Sequence, residues 1–99
     1  MQLKIVAIFT KRYILIMKRQ KLIERLLLKP KDFTWSELIT VLNGFGYEEI
    51  HIGKTGGSRV RFIHDRYPTI ILHKPHPRPI LKGYQLKDIL ALLQQEGLL

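Results

Sequence analysis

Gly56-Gly57-Ser58-Arg59-Val60-Arg61-Phe62-Ile63-His64, then Asp65 to Pro68, then Thr69-Ile70-Ile71-Leu72-His73-Lys74-Pro75-His76-Pro77 is the stretch that decides the fold. A glycine turn feeds a strand, a short turn reverses the chain, and a second strand follows. Strand side chains alternate with a period of two, so Val60, Phe62 and His64 share one face while Arg59, Arg61 and Ile63 share the other. In the second strand Ile70 and Leu72 oppose Thr69, Ile71 and His73. With Val60, Phe62, Ile70 and Leu72 turned to a core, the opposite face gathers Arg59, Arg61 and His73. Such a face suits a phosphate-bearing partner.

Upstream, Tyr47 to Ile52 reads as the first strand, with Ile50 and Ile52 inward and His51 outward. Gly53-Lys54-Thr55-Gly56-Gly57-Ser58 joins it to the second strand. This segment lacks the Gly-x-x-x-x-Gly-Lys-Ser/Thr order of a P-loop. Its glycines suit a hairpin turn, and the same backbone beside Lys54 and Ser58 suits a phosphate. Downstream, Pro75, Pro77 and Pro79 predict an extended, stiff loop carrying His76 and Arg78.

The helices have clear signals. Thr34 and Glu37 form a Thr-x-x-Glu capping box, and Phe33 with Leu38 forms a hydrophobic staple. Trp35, Leu38, Ile39 and Leu42 recur at i, i+3, i+4 and i+7, and Asn43-Gly44 is the expected stop. Trp35 fits the buried stripe better than a base-stacking platform. From Tyr84 to Gln95, Leu86, Ile89, Leu90 and Leu93 repeat the spacing, with Gly97 as the stop. Leu22, Ile23, Leu26 and Leu27 predict a short helix over residues 18–28, ended by Pro30. The order is helix, helix, three strands, helix. It predicts an α+β two-layer domain, α-β-β-β-α with an extra short N-terminal helix and an antiparallel three-stranded sheet. Double-stranded RNA-binding domains have this shape.

Composition narrows the function classes. The chain has 99 residues, 45% of them hydrophobic, which suffices for one small core. With no cysteine there is no disulfide, thiolate nucleophile or cysteine zinc site, and a reducing cytoplasm is the expected setting. The formal charge is +9, from 17 Lys and Arg against 8 Asp and Glu. Nucleic acid, an acidic protein or an anionic membrane is the expected kind of partner. Nine of the cations lie in residues 1–31, none in 32–51 and seven in 52–82, so one face is basic.

Residues 1–16 stand apart. Lys11 and Arg12 interrupt the apolar runs Ile5 to Thr10 and Tyr13 to Ile16. A membrane-spanning helix needs roughly 20 consecutive apolar residues, so none is expected. Met17, followed by Lys18-Arg19-Gln20-Lys21, reads as a natural start. Residues 1–16 are then an uncertain extension and residues 17–99 the domain. If the extension is structured, an extra edge strand is the expectation.

Residues 17–99 resemble the HicA-type toxins of bacterial toxin–antitoxin pairs. The segments that carry the resemblance are Lys31-Asp32-Phe33-Thr34-Trp35-Ser36-Glu37-Leu38, Gly56-Gly57-Ser58-Arg59, Leu72-His73-Lys74-Pro75-His76-Pro77 and Lys82-Gly83-Tyr84-Gln85-Leu86. The resemblance implies a double-stranded-RNA-binding-like fold, metal-free cleavage of mRNA, and an antitoxin that covers the active face. In the family's best-known pattern a histidine directly follows Gly-Ser. Here Arg59 stands there, so that catalytic residue has no counterpart.

Metal-free RNA cleavage needs a base for the 2′-hydroxyl proton and cations for the growing phosphate charge. His73 is the candidate base and His76 the acid. Ser58, Arg59, Arg61, Lys54, Lys74 and Arg78 are the candidate RNA- and phosphate-binding residues. An ordinary exposed role for His73 is the competing reading. His64, on the face of Val60 and Phe62, is expected to pack, and His51 has no evident partner. No cofactor is expected, and a zinc site from His73, His76 and a distant carboxylate lacks a recognised ligand spacing. The expected function is that of a cytoplasmic mRNA-cleaving toxin with RNA and an antitoxin as partners and no membrane. Its rivals are a catalytically silent RNA-binding module and a membrane-surface protein built on residues 1–16.

Overall fold

The computed structural model describes the backbone of residues 2–51 and 58–99, with side chains from residue 14 onward. Three helices, α1 (Gln2–Leu27), α2 (Trp35–Gly44) and α3 (Gly83–Gln95), accompany the strands β1 (Glu48–His51), β2 (Arg59–Ile63) and β3 (Ile70–His73). The sheet has the order β1-β2-β3 with both pairings antiparallel. This is the expected α+β layout.

Alternation in the hairpin sets the layers. Val60, Phe62, Ile70 and Leu72 are buried, whereas Arg59, Arg61, Ile71 and His73 are exposed. The buried row joins one core with Leu26 of α1, Leu38 of α2 and Leu86, Ile89 and Leu93 of α3. Trp35 is 4% exposed, and its ring lies 5.7 Å from that of Phe62, so it is a core residue. At roughly 25 cal/mol per Å² of apolar surface, each such side chain contributes about 1.5–3 kcal/mol.

Thr34 caps α2 as its sequence predicts. Its Oγ1 accepts from the Glu37 N–H at 3.2 Å, and Glu37 Oε1 accepts from the Thr34 N–H at 3.0 Å. Arg25 reaches across from α1 to Glu37 and to Asp32. The stop of α2 lies two residues later than Asn43-Gly44. Phe45 is the C-cap in right-handed conformation, and Gly46 takes the positive φ of +96°. Gly46 N–H donates to Asn43 O and Tyr47 N–H to Leu42 O, both at 3.0 Å, which is the Schellman pattern. Gly97, with φ of +74°, closes α3 as expected.

β1 departs from its expected parity. Tyr47, just before it, is buried, and period two then places Glu49 and His51 on the core-side row opposite Phe62 and Val60. Ile50 pairs with Arg61 on the outer face and is 42% exposed. The inward assignment of Ile50 and the outward one of His51 are therefore reversed. Ile52 lies outside the described residues. Being at the sheet edge, His51 is exposed even on that row, and its Nε2 lies 3.2 Å from Glu49 Oε1.

α1 is also longer than the helix expected over 18–28. Residues 2–16 continue it and add no edge strand to the sheet. His64 packs as expected, between the rings of Tyr47 and Tyr67. The Arg66 N–H donates to its Nδ1 at 2.9 Å, which leaves Nε2–H to donate to Phe45 O at 3.0 Å.

Candidate nucleic-acid interface

The β2–β3 register sets Arg59 directly opposite His73. Ser58 precedes β2 and Lys74 follows β3, and Lys74 N–H donates to Ser58 O at 2.8 Å, extending the ladder by one rung. Ser58 Oγ lies 3.4 Å from His73 Nδ1. The hydroxyl and the imidazole thus meet at the open end of the hairpin.

A second anchor comes from α3. Gln85 is buried at 3% exposure, and its Nε2 donates to His73 O at 2.9 Å. Its Oε1 accepts from the Lys82 N–H at 3.0 Å. One amide therefore joins the end of β3 to the start of α3, with Lys82 and Tyr84 just before Gln85 in sequence.

The proline-rich segment between them is stitched to the α2 cap. Trp35 N–H donates to Pro79 O at 2.9 Å and Leu81 N–H to Phe33 O at 2.8 Å. Ile80 N–H donates to Arg78 O at 2.8 Å, so the segment tightens into a turn here rather than running extended throughout. Pro75 is buried.

Two clefts flank Lys74-Pro75-His76. One, of about 420 Å³, is lined by His51, Arg59, Lys74 and His76 together with Val60 and prolines. The other, of about 270 Å³, is lined by Ser58, His73, Lys74, His76, Lys82 and Tyr84. Lysines, an arginine and histidines supply the ionisable groups, and no carboxylate is among the described lining residues of either cleft. Both clefts present cations that hold phosphate, and the smaller adds the exposed Tyr84 ring, on which a base can stack.

Of the residues singled out from sequence, His73, His76, Ser58, Arg59 and Lys74 come together here. Arg61 lies on the outer sheet face between Ile50 and Ile71, in register with both and outside the clefts. Arg78 is exposed on the loop and lines neither. Lys54 lies outside the described residues. Sequence reasoning missed His51, Lys82, Tyr84 and Gln85 as cleft residues. For His51 the available signal was the parity set by Tyr47. For Gln85 it was a polar residue beside the apolar stripe of α3.

A comparison with family profiles matches residues 35–98 to the family described as "HicA toxin of bacterial toxin-antitoxin". The chain belongs to the HicA toxin family. The match spans α2, the whole sheet and α3, and so contains both clefts. Membership makes the chain the toxin of a toxin–antitoxin pair, with a cognate antitoxin as its partner. Neither the curated proteins nor the solved structures gave a match. Among the described residues no three His, Cys, Asp or Glu side chains converge as metal ligands. No helix among them is long and apolar enough to cross a membrane.

Proposed function

We propose that this HicA-family toxin is a cytoplasmic endoribonuclease that cleaves mRNA without a metal ion. The observation that carries the reading is the cleft where His73 and His76 meet Ser58, Lys74 and Lys82. Two imidazoles suit the two proton transfers of RNA transesterification. His73 Nδ1 faces Ser58 Oγ at 3.4 Å, and the tautomer with its proton on Nδ1 keeps on Nε2 the lone pair a base needs. His73 takes the 2′-hydroxyl proton, and O2′ attacks phosphorus. The bond to O5′ breaks as His76 delivers a proton to it. The products are a 2′,3′-cyclic phosphate and a 5′-hydroxyl.

Lys74, Lys82 and Arg59 offset the charge growing on the phosphate. Arg61 and Arg78, outside the clefts, extend the basic surface along the RNA backbone. The histidines hold and deliver the protons, so the scheme calls for no metal-bound water.

A second reading is a catalytically silent RNA-binding module on the same fold. Arg59 favours it, because it stands where the family's pattern has a histidine. Purified chain incubated with a reporter mRNA and a chelator separates the two. The nuclease reading expects fragments ending in 2′,3′-cyclic phosphate, and a loss of about 10²-fold or more on His73→Ala. RNA binding without cleavage by folded protein would leave the silent module.

A further inference from the structure

The larger cleft has a different character from the one containing His73. Its apolar walls are Val60, Pro75, Pro77 and Pro79, and His51, His76 and Ser58 are its polar groups besides Arg59 and Lys74. At about 420 Å³ it falls toward the small end of ligand pockets, which are typically about 300–1,000 Å³. Apolar walls with a few convergent polar groups are what a flat heteroaromatic ring requires. Arg59 and Lys74 line the same cleft and fit the phosphate that such a ring carries.

We propose that this cleft is a nucleobase pocket that takes one unpaired base of the RNA, read on its edge by His51. The proposal rests on the reading of this face as an RNA-binding surface. Glu49 Oε1 lies 3.2 Å from His51 Nε2, which turns that nitrogen toward the carboxylate and leaves the Nδ1 edge of the ring to meet a base. His76 and Lys74 line both clefts, so the pocket adjoins the one holding His73, and its base belongs to a nucleotide flanking the scissile phosphate. A base in such a pocket is out of any duplex. The substrate is therefore single-stranded at this position, in contrast to the shape readout of duplex by double-stranded RNA-binding domains.

Methyl and imidazole NMR of the full chain tests this directly, with the four 5′-nucleoside monophosphates, ribose 5-phosphate and inorganic phosphate as probes. The expected result is a shift of the Val60 methyls and the His51 ring by at least one nucleotide, with neither base-free probe reproducing it. His51→Ala, at an exposed position, is expected to weaken that nucleotide by about fivefold or more, the worth of one hydrogen bond. Equal shifts from ribose 5-phosphate would make the cleft a phosphate site only and overturn the proposal. So would the absence of any shift, or an unchanged affinity in the variant. The readout is binding, so base binding without RNA cleavage would defeat the nuclease reading alone, and cleavage without base binding would defeat the pocket alone.

Discussion

The side-chain amide of Gln85 donates to the main-chain carbonyl of His73 at 2.9 Å. It ties the last residue of β3 to the first turn of α3 from a position only 3% exposed. The proposed base therefore sits on a backbone held from two sides, by Gln85 through the carbonyl of His73 and, one residue on, by the Lys74 N–H bond to Ser58 O across the sheet. Gln85→Met keeps the volume and removes both hydrogen bonds. It is expected to cost about 1–3 kcal/mol in denaturant unfolding and to lower RNA cleavage while leaving RNA affinity nearly unchanged. Loss of affinity in step with cleavage would make Gln85 part of the binding surface instead.

Tyr47 supplies a pH test of the core. Burial, followed by the charges of Glu96 and Tyr67, holds its phenol pKa above the ordinary 10.0. Its hydroxyl donates to Pro68 O at 2.9 Å, which ties the start of β1 to the β2–β3 turn. In the unfolded chain the phenol ionises near 10.0, while in the fold it keeps its proton to higher pH. Its contribution to stability is thus complete below the unfolded value and is lost as pH rises through the folded one. Thermal unfolding from about pH 8 to pH 11 is expected to fall more steeply for wild type than for Tyr47→Phe. Parallel curves would contradict the assignment.

Gly46 and Gly97 form a natural pair of controls. Both have positive φ at a helix stop, +96° and +74°. A Cβ at Gly46 would come 2.9 Å from His64 Nε2, whereas at Gly97 nothing lies within 4 Å. Gly97→Ala is expected to cost about 1 kcal/mol from backbone conformation alone. Gly46→Ala is expected to cost more, because it also displaces the ring that bonds Phe45 O. Equal unfolding midpoints for the two variants would show that the His64 contact is unimportant.

The parts of the fold legible from sequence were those in which one residue class repeats at one period. β2, β3, the stripe of α3 and the Thr34–Glu37 box read correctly, because alternation or helical spacing there coincides with burial. β1 misled for a physical reason. Ile50 looks like a core residue, but at an edge strand the parity follows Tyr47, and the apolar side chain is left outside. The stop of α2 was misplaced because Asn43-Gly44 and Gly46 both supply plausible signals, and only the 3.0 Å bond from Tyr47 to Leu42 selects the second.

α1 was cut short because Lys11 and Arg12 break its apolar run, although neither residue opposes a helix and no Gly or Pro precedes Pro30. The histidine and cation set of the site was visible in the hairpin pattern. The two-cleft arrangement was not, since it depends on Gln85, Lys82 and His51 arriving from distant segments.

Inducible expression in a bacterial host, wild type beside His73→Ala, with growth and a reporter mRNA followed together, decides whether this toxin cleaves mRNA through His73. His73 is exposed at the end of β3, so its replacement leaves the core intact. Growth arrest with mRNA loss is expected for wild type, and neither for the variant at equal soluble expression. Arrest and mRNA loss that persist in His73→Ala would contradict it.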